Sequence, residues 1–155
     1  MAGRRIIVGI IGAGMADAEL EQTAAEVGRR IAGQGWLLVC GGLGGVMAAA
    51  CRGAREAGGT TVGILPGSDP AAANPDVDIP IATGFGEGRN VIIVRTADLL
   101  IAVGGEYGTL SEIAFALKAG KPVVGLGSWD IRGVVPAATP AEAVARAVQL
   151  LAQPA

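Results

Sequence analysis

The sequence contains no histidine. That excludes histidine general bases, Ser-His-Asp triads and histidine-ligated metals. Aromatic residues make up only 3% of the chain, so Ala, Val, Leu and Ile must build its core. Cysteine is nearly absent as well. Cys40 and Cys51 fit neither a disulfide framework nor a metal-ligand spacing. Their apolar surroundings predict buried free thiols, which suit a reducing cytoplasm. No excess of positive charge exists either: the formal net charge is -2 and the pI about 5.1. Nucleic-acid binding leaves a basic footprint, so no nucleic-acid partner is expected. No apolar run approaches the ~20 residues of a membrane span, so no membrane partner is expected.

What the chain has in quantity is glycine, 26 residues in 155, well above the usual share of roughly 7%. The glycines follow no fixed period and gather where apolar runs end, so they read as turns. The opening stretch "MAGRRIIVGIIGAGMADAE" has the composition of a leader peptide. Gly9, Gly12 and Gly14 punctuate it, however, and a first strand over Arg4 to Ile11 is the expectation. Further strands are expected at "WLLVC", "TTVGILPG", "DLLIAVGG" and "KPVVGLG", with a short one at "IPIATG". Helical spacing of apolar residues separates them, as in Leu20, Ala24, Val27 and Ile31. Residues 68–78 and the stretch through Pro136 read as loops, and a last helix opens on Thr139 and Pro140.

Apolar strands alternating with helices imply a parallel sheet covered on both faces. The expected fold is a doubly wound α/β domain, a Rossmann-like three-layer sandwich with a mainly parallel sheet, single over residues 1–155. Such sheets bind ligands beyond the carboxyl ends of their strands. Three glycine turns fall at such ends: Gly12 to Gly14, Gly41 to Gly45 and Gly104 to Gly108.

Each turn has a chemical and a purely structural reading. "GIIGAGMAD" supplies the first two glycines of a dinucleotide fingerprint at Gly12 and Gly14, but Asp17 takes the third place. "GGLGGVM" puts Gly41, Gly42, Gly44, Gly45 and Met47 where a strand becomes a helix. Its open amides suit phosphate, and its glycines equally suit close packing. Arg89 and Asn90 open the next helix, and arginine grips phosphate or carboxylate with two parallel bonds. "GGEYGTLSE" contains Gly105, Glu106, Gly108, Thr109 and Glu112. Thr109 and Glu112 have the spacing of a capping box. The glycines exceed what a cap requires, and the hydroxyls of Thr109 and Ser111 are expected to point above the sheet.

Taken together, "GGLGGVM", "GRN" and "GGEYGTLSE" resemble the Lonely Guy (LOG) superfamily of Rossmann-like proteins. That superfamily includes cytokinin-activating phosphoribohydrolases, proteins labelled as lysine decarboxylases and molybdenum-cofactor carrier proteins. The resemblance runs over roughly residues 4 to 126. Against the enzymes' Pro-Gly-Gly-x-Gly-Thr-x-x-Glu motif, Gly105, Gly108, Thr109 and Glu112 match, while Gly104 stands for Pro and Glu106 for Gly. Arg89 matches the first residue of their Arg-Lys pair, and Asn90 replaces the lysine. The resemblance implies Arg89 and Glu112 as the catalytic pair if the protein is an enzyme. The "RN" and "GTLSE" wording is closer to the carrier branch and its bacterial relatives. This implies a small phosphorylated ligand, a nucleotide or a molybdenum cofactor carried as cargo, and a homo-oligomer (dimer or tetramer). A pyridoxal enzyme needs a Schiff-base lysine, and neither Lys118 nor Lys121 lies at the expected ligand end.

Overall fold

The computed structural model describes residues 3–153. Seven strands form one sheet: β1 (Ile7–Gly12), β2 (Leu37–Cys40), β3 (Thr61–Leu65), β4 (Ile79–Ala82), β5 (Leu99–Val103), β6 (Val123–Leu126) and β7 (Val134–Ala137). Their order is β4-β3-β2-β1-β5-β6-β7, and every neighbouring pair is parallel. The helices are α1 (Ala18–Gly33), α2 (Val46–Glu56), α3 (Arg89–Thr96), α4 (Tyr107–Lys118) and α5 (Pro140–Ala152).

Alternation along the strands sorts the core into two layers. Val8 and Ile10 of β1, Leu38 and Cys40 of β2, and Leu99, Ile101 and Val103 of β5 pack with α1, α2 and α5. The intervening Ile11, Val39, Leu100 and Ala102 pack with α3 and α4. Because both faces are covered, the central strands lack polar positions, which is why they read as unbroken apolar runs. The fold is therefore the Rossmann-like α/β sandwich, with an all-parallel sheet.

Three local expectations need correction. The first strand begins at Ile7, not Arg4. Arg4 is exposed and its guanidinium meets the Asp98 carboxylate at 2.6 Å, which holds Asp98 below the usual carboxylate range. The stretch through Pro136 is not a loop but β7, pairing Val123 with Val134 and Gly125 with Pro136. Proline lacks an N–H, yet at the edge of a sheet one side of the strand needs no donor. Residues 68–78 include a short 3-10 turn at Pro70–Ala72. The last helix is capped as expected, with Thr139 Oγ1 accepting from the Glu142 amide at 3.1 Å. Cys40 and Cys51 are both buried and free.

The topology fixes where a ligand can enter. β1 lies between β2 and β5, so the chain winds to one side of β1 and then to the other. The turns after β1 and β2 lead to one face of the sheet and the turn after β5 to the other, which leaves a crevice between them at the carboxyl edge.

Candidate functional site

That crevice is a cavity of about 270 Å³. Gly12 and Gly14 come to it from the β1 turn, and Gly41 and Met47 from the β2 turn and α2. Arg89 and Asn90 open α3 beside it, and Glu106, Gly108, Thr109 and Glu112 belong to the β5 turn and α4. The three glycine turns thus converge. Gly42, Gly44, Gly45 and Gly105 do not line the cavity but shape the turns that do. Gly45 has φ 63°, and a methyl there would lie 2.4 Å from the Ala13 carbonyl oxygen. Only glycine lets the β1 and β2 turns touch at that point.

Asp17 settles the fate of the first turn. It caps α1, its Oδ1 accepting from the Leu20 amide at 2.8 Å, with Glu19 and Glu21 close behind. A capped, acidic helix end repels an anion, so α1 cannot hold a pyrophosphate as a dinucleotide fold requires.

Arg89 is the centre of the site. Its guanidinium turns inward over Gly41: a methyl added to Gly41 would sit 2.7 Å from Nη2 and 2.8 Å from the Met47 sulfur. Nη1 donates to Asn90 Oδ1. Nε is buried and has no hydrogen-bond partner, and among the described residues Arg89 makes no salt bridge. A buried guanidinium N–H without an acceptor is costly, which makes it a place for an oxygen supplied from outside.

The capping-box expectation fails. The N-cap of α4 is Glu106, three residues before Thr109, and no side chain caps the helix. Gly104 and Gly105 adopt φ 60° and 124°, and this sharp reversal starts the helix early. Thr109 and Glu112 therefore lie within the helix, both buried. Ser111 does not point at the cavity; its hydroxyl donates to the Gly108 carbonyl at 2.7 Å. The first-turn amides at Gly108 and Thr109 thus lie at the site with no side-chain acceptor. Burial pushes the Glu112 carboxyl up to about 7, opposed by the nearby Arg89 charge. At neutral pH it is both a proton donor and an acceptor.

A second recess of about 490 Å³ adjoins the first and shares Asn90, Gly108 and Glu112. Val91, Tyr107 and Phe115 give it an apolar wall. Three contributors are not visible from the sequence. Ala13 and Leu43 line the first cavity, and Asn74 pins its β2 turn. The Asn74 side chain donates to the Leu43 carbonyl at 2.9 Å, and its amide to the Gly42 carbonyl at 2.8 Å. The only available signal is Asn74-Pro75, a turn dipeptide inside the one polar loop. Lys121 donates to the Arg95 and Ala97 carbonyls, ahead of β6 and away from this edge. No cluster of metal-ligating side chains occurs among the described residues.

A family model described as the SLOG cluster4 family matches residues 5–153. The chain belongs to this family. Its fold is close to that of a molybdenum cofactor binding protein from the phototrophic bacterium Rippkaea orientalis. The TM-score is 0.92 and the identity 37%, over 97% of this chain and 99% of that one. The molybdenum cofactor carrier protein of Chlamydomonas reinhardtii superimposes with a TM-score of 0.88 at 43% identity, over 97% of this chain and all of that one. In sequence, 122 residues are 40% identical to a cytokinin riboside 5'-monophosphate phosphoribohydrolase of Mycobacterium tuberculosis. This match covers 72% of this chain and 65% of the mycobacterial enzyme, just under two thirds of its length.

Proposed function

We propose that this member of the SLOG family binds a small phosphorylated ligand in the cytoplasm and carries it without transforming it, with a molybdenum-cofactor-type pterin as cargo. The orphaned, buried Nε of Arg89 carries this reading. A phosphate oxygen supplies the missing acceptor, and the Gly41, Gly108 and Thr109 backbone surrounds the remaining oxygens. The adjoining recess offers Val91, Tyr107 and Phe115 to a flat ring. The likeness to two molybdenum-cofactor proteins over nearly the whole chain supports the same choice. Exposed Ile79, Ile81 and Phe85 suit a second copy of the chain, as dimer or tetramer. The acidic composition supports no nucleic-acid role.

The test is equilibrium binding of molybdenum cofactor and of nucleoside 5'-monophosphates to the purified protein. Saturable binding is expected, weakened at least tenfold by Arg89→Ala through loss of charge-assisted hydrogen bonds worth roughly 1.5–3 kcal/mol. Absence of saturation with every probe defeats the proposal.

A second reading rests on Glu112. A buried carboxyl near 7, close to Arg89, suits hydrolysis of a nucleoside 5'-monophosphate to free base and ribose 5-phosphate. The mycobacterial enzyme supports it. Base release from AMP, lost in Glu112→Gln, distinguishes catalysis from carriage.

A further inference from the structure

Behind the Arg89 pocket lies a pair of thiols that neither reading uses. Cys40 is the last residue of β2 and Cys51 lies in the second turn of α2. Their sulfurs are 3.5 Å apart and both side chains are fully buried. The Gly42 amide donates to the Cys40 sulfur at 3.4 Å, so Cys40 also meets the backbone of the glycine turn. The Cys51 hydrogen bond pushes the Cys40 thiol down, against burial, with the Gly42 amide and the Arg89 charge helping. The same bond and burial push Cys51 up.

Their position matters as much as their chemistry. Cys40 adjoins Gly41, the residue over which Arg89 folds. Gly42 contacts Cys40 through its amide and Asn74 through its carbonyl. Any movement of the Cys40 sulfur is therefore passed to the turn that shapes the cavity.

We propose that Cys40 and Cys51 form a dithiol–disulfide couple, and that closing it reshapes the Gly41–Gly45 turn and weakens ligand binding at Arg89. The affinity effect rests on the ligand-binding reading above; the couple itself does not. The oxidant is a hydroperoxide. Cys40 sulfur gives up its proton and attacks one oxygen of hydrogen peroxide. The O–O bond breaks, the other oxygen leaves as water with that proton, and Cys40 becomes a sulfenic acid. Cys51 sulfur attacks Cys40 sulfur, the S–O bond breaks, and hydroxide leaves with the Cys51 proton as a second water. Two thiols and one peroxide give one disulfide and two waters, and a thiol reductant reverses the change. The sulfurs must close to about 2.05 Å, which draws the end of β2 toward α2. Both are buried, so peroxide enters when the turn opens. A ligand that holds the turn shut slows oxidation by the same linkage that makes oxidation weaken the ligand.

The experiment uses the reduced full chain, titrated with hydrogen peroxide, alkylated and analysed by peptide mass. The expected product lacks two hydrogens, joins the Cys40 and Cys51 peptides within one chain, resists alkylation and reverts with dithiol reductant. Amide hydrogen exchange at Gly42 and Leu43 is expected to change on oxidation. Affinity for AMP or molybdenum cofactor is expected to fall roughly fivefold or more. Cys51→Ala should bind the probe as the reduced chain does and lose its response to peroxide. Alkylatable thiols after peroxide, a sulfinic acid on Cys40, or bonds only between chains would overturn the couple. A disulfide that leaves exchange at Gly42 to Gly45 unchanged would overturn the link to the turn. If the reduced protein binds no phosphorylated probe, the ligand reading falls, while peptide mass and exchange still decide the couple.

Discussion

The turn after β2 and the turn after β5 are both glycine-rich and both face the cavity, but they use glycine for opposite ends. In the β2 turn the space beside Gly41, Gly42 and Gly45 is already filled. Gly41 lies against Arg89, and Gly45 against the Ala13 carbonyl and Gly14. In the β5 turn Gly105 is crowded as well, 2.5 Å from the Thr109 side chain, but Gly108, at the helix end that faces the cavity, has nothing within 4 Å. The first turn is a packed joint between two loops, and the second is a doorway. Substitution separates them. Gly45→Ala forces a side chain onto φ 63° and into a backbone carbonyl, for a loss of roughly 2–5 kcal/mol of stability. Chemical denaturation checks it, and an unchanged midpoint would erase the distinction between the two turns.

Glu112 sharpens the contrast from the doorway side. Its carboxyl sits at about 7 in the folded chain and at its ordinary 4.5 once burial is lost. The folded state therefore binds more protons between these values, so stability falls as pH rises through that window. The cost is absent below pH 4.5 and complete above 7, on the order of 3 kcal/mol. Glu112→Gln removes the charge and flattens this part of the profile, leaving the variant the more stable above pH 7. Thermal melts of both proteins from pH 4.5 to 8 measure it. A parallel pair of curves would mean that Glu112 is not held in a desolvated place.

Much of this organisation was legible from the residues. Unbroken apolar strands between helices required a covered parallel sheet, and glycines at the strand ends marked one edge. Arg89 and Glu112 were expected at this edge from the glycine turns beside them and from the family resemblance, and both line the cavity there. The failures share a cause. Thr109 and Glu112 have capping-box spacing, but the helix starts at Tyr107 because Gly104 and Gly105 reverse the chain early. Pro136 suggests a break, yet an edge strand tolerates it. Asn74 acts on a turn 31 residues away, and local sequence carries no trace of such a partner. Local rules describe a residue's own preference; tertiary neighbours decided these positions.

The smallest effect on stability comes at Gly108, and it tests the doorway most directly. Gly108 lies in the first turn of α4, has no positive φ and lines both recesses. Alanine suits a helix better than glycine, so Gly108→Ala should leave stability within about 0.5 kcal/mol of the parent or raise it slightly. The added methyl meets no protein atom but projects into the recesses that the proposed ligand would fill. Binding of molybdenum cofactor or AMP should therefore weaken while the melting temperature holds. The opposite pattern, lower stability with binding intact, would place Gly108 among the packing glycines of the β2 turn. Because the two outcomes move different observables, a calorimetric melt and one titration on a single variant decide whether the open amide at this helix end is reserved for a ligand.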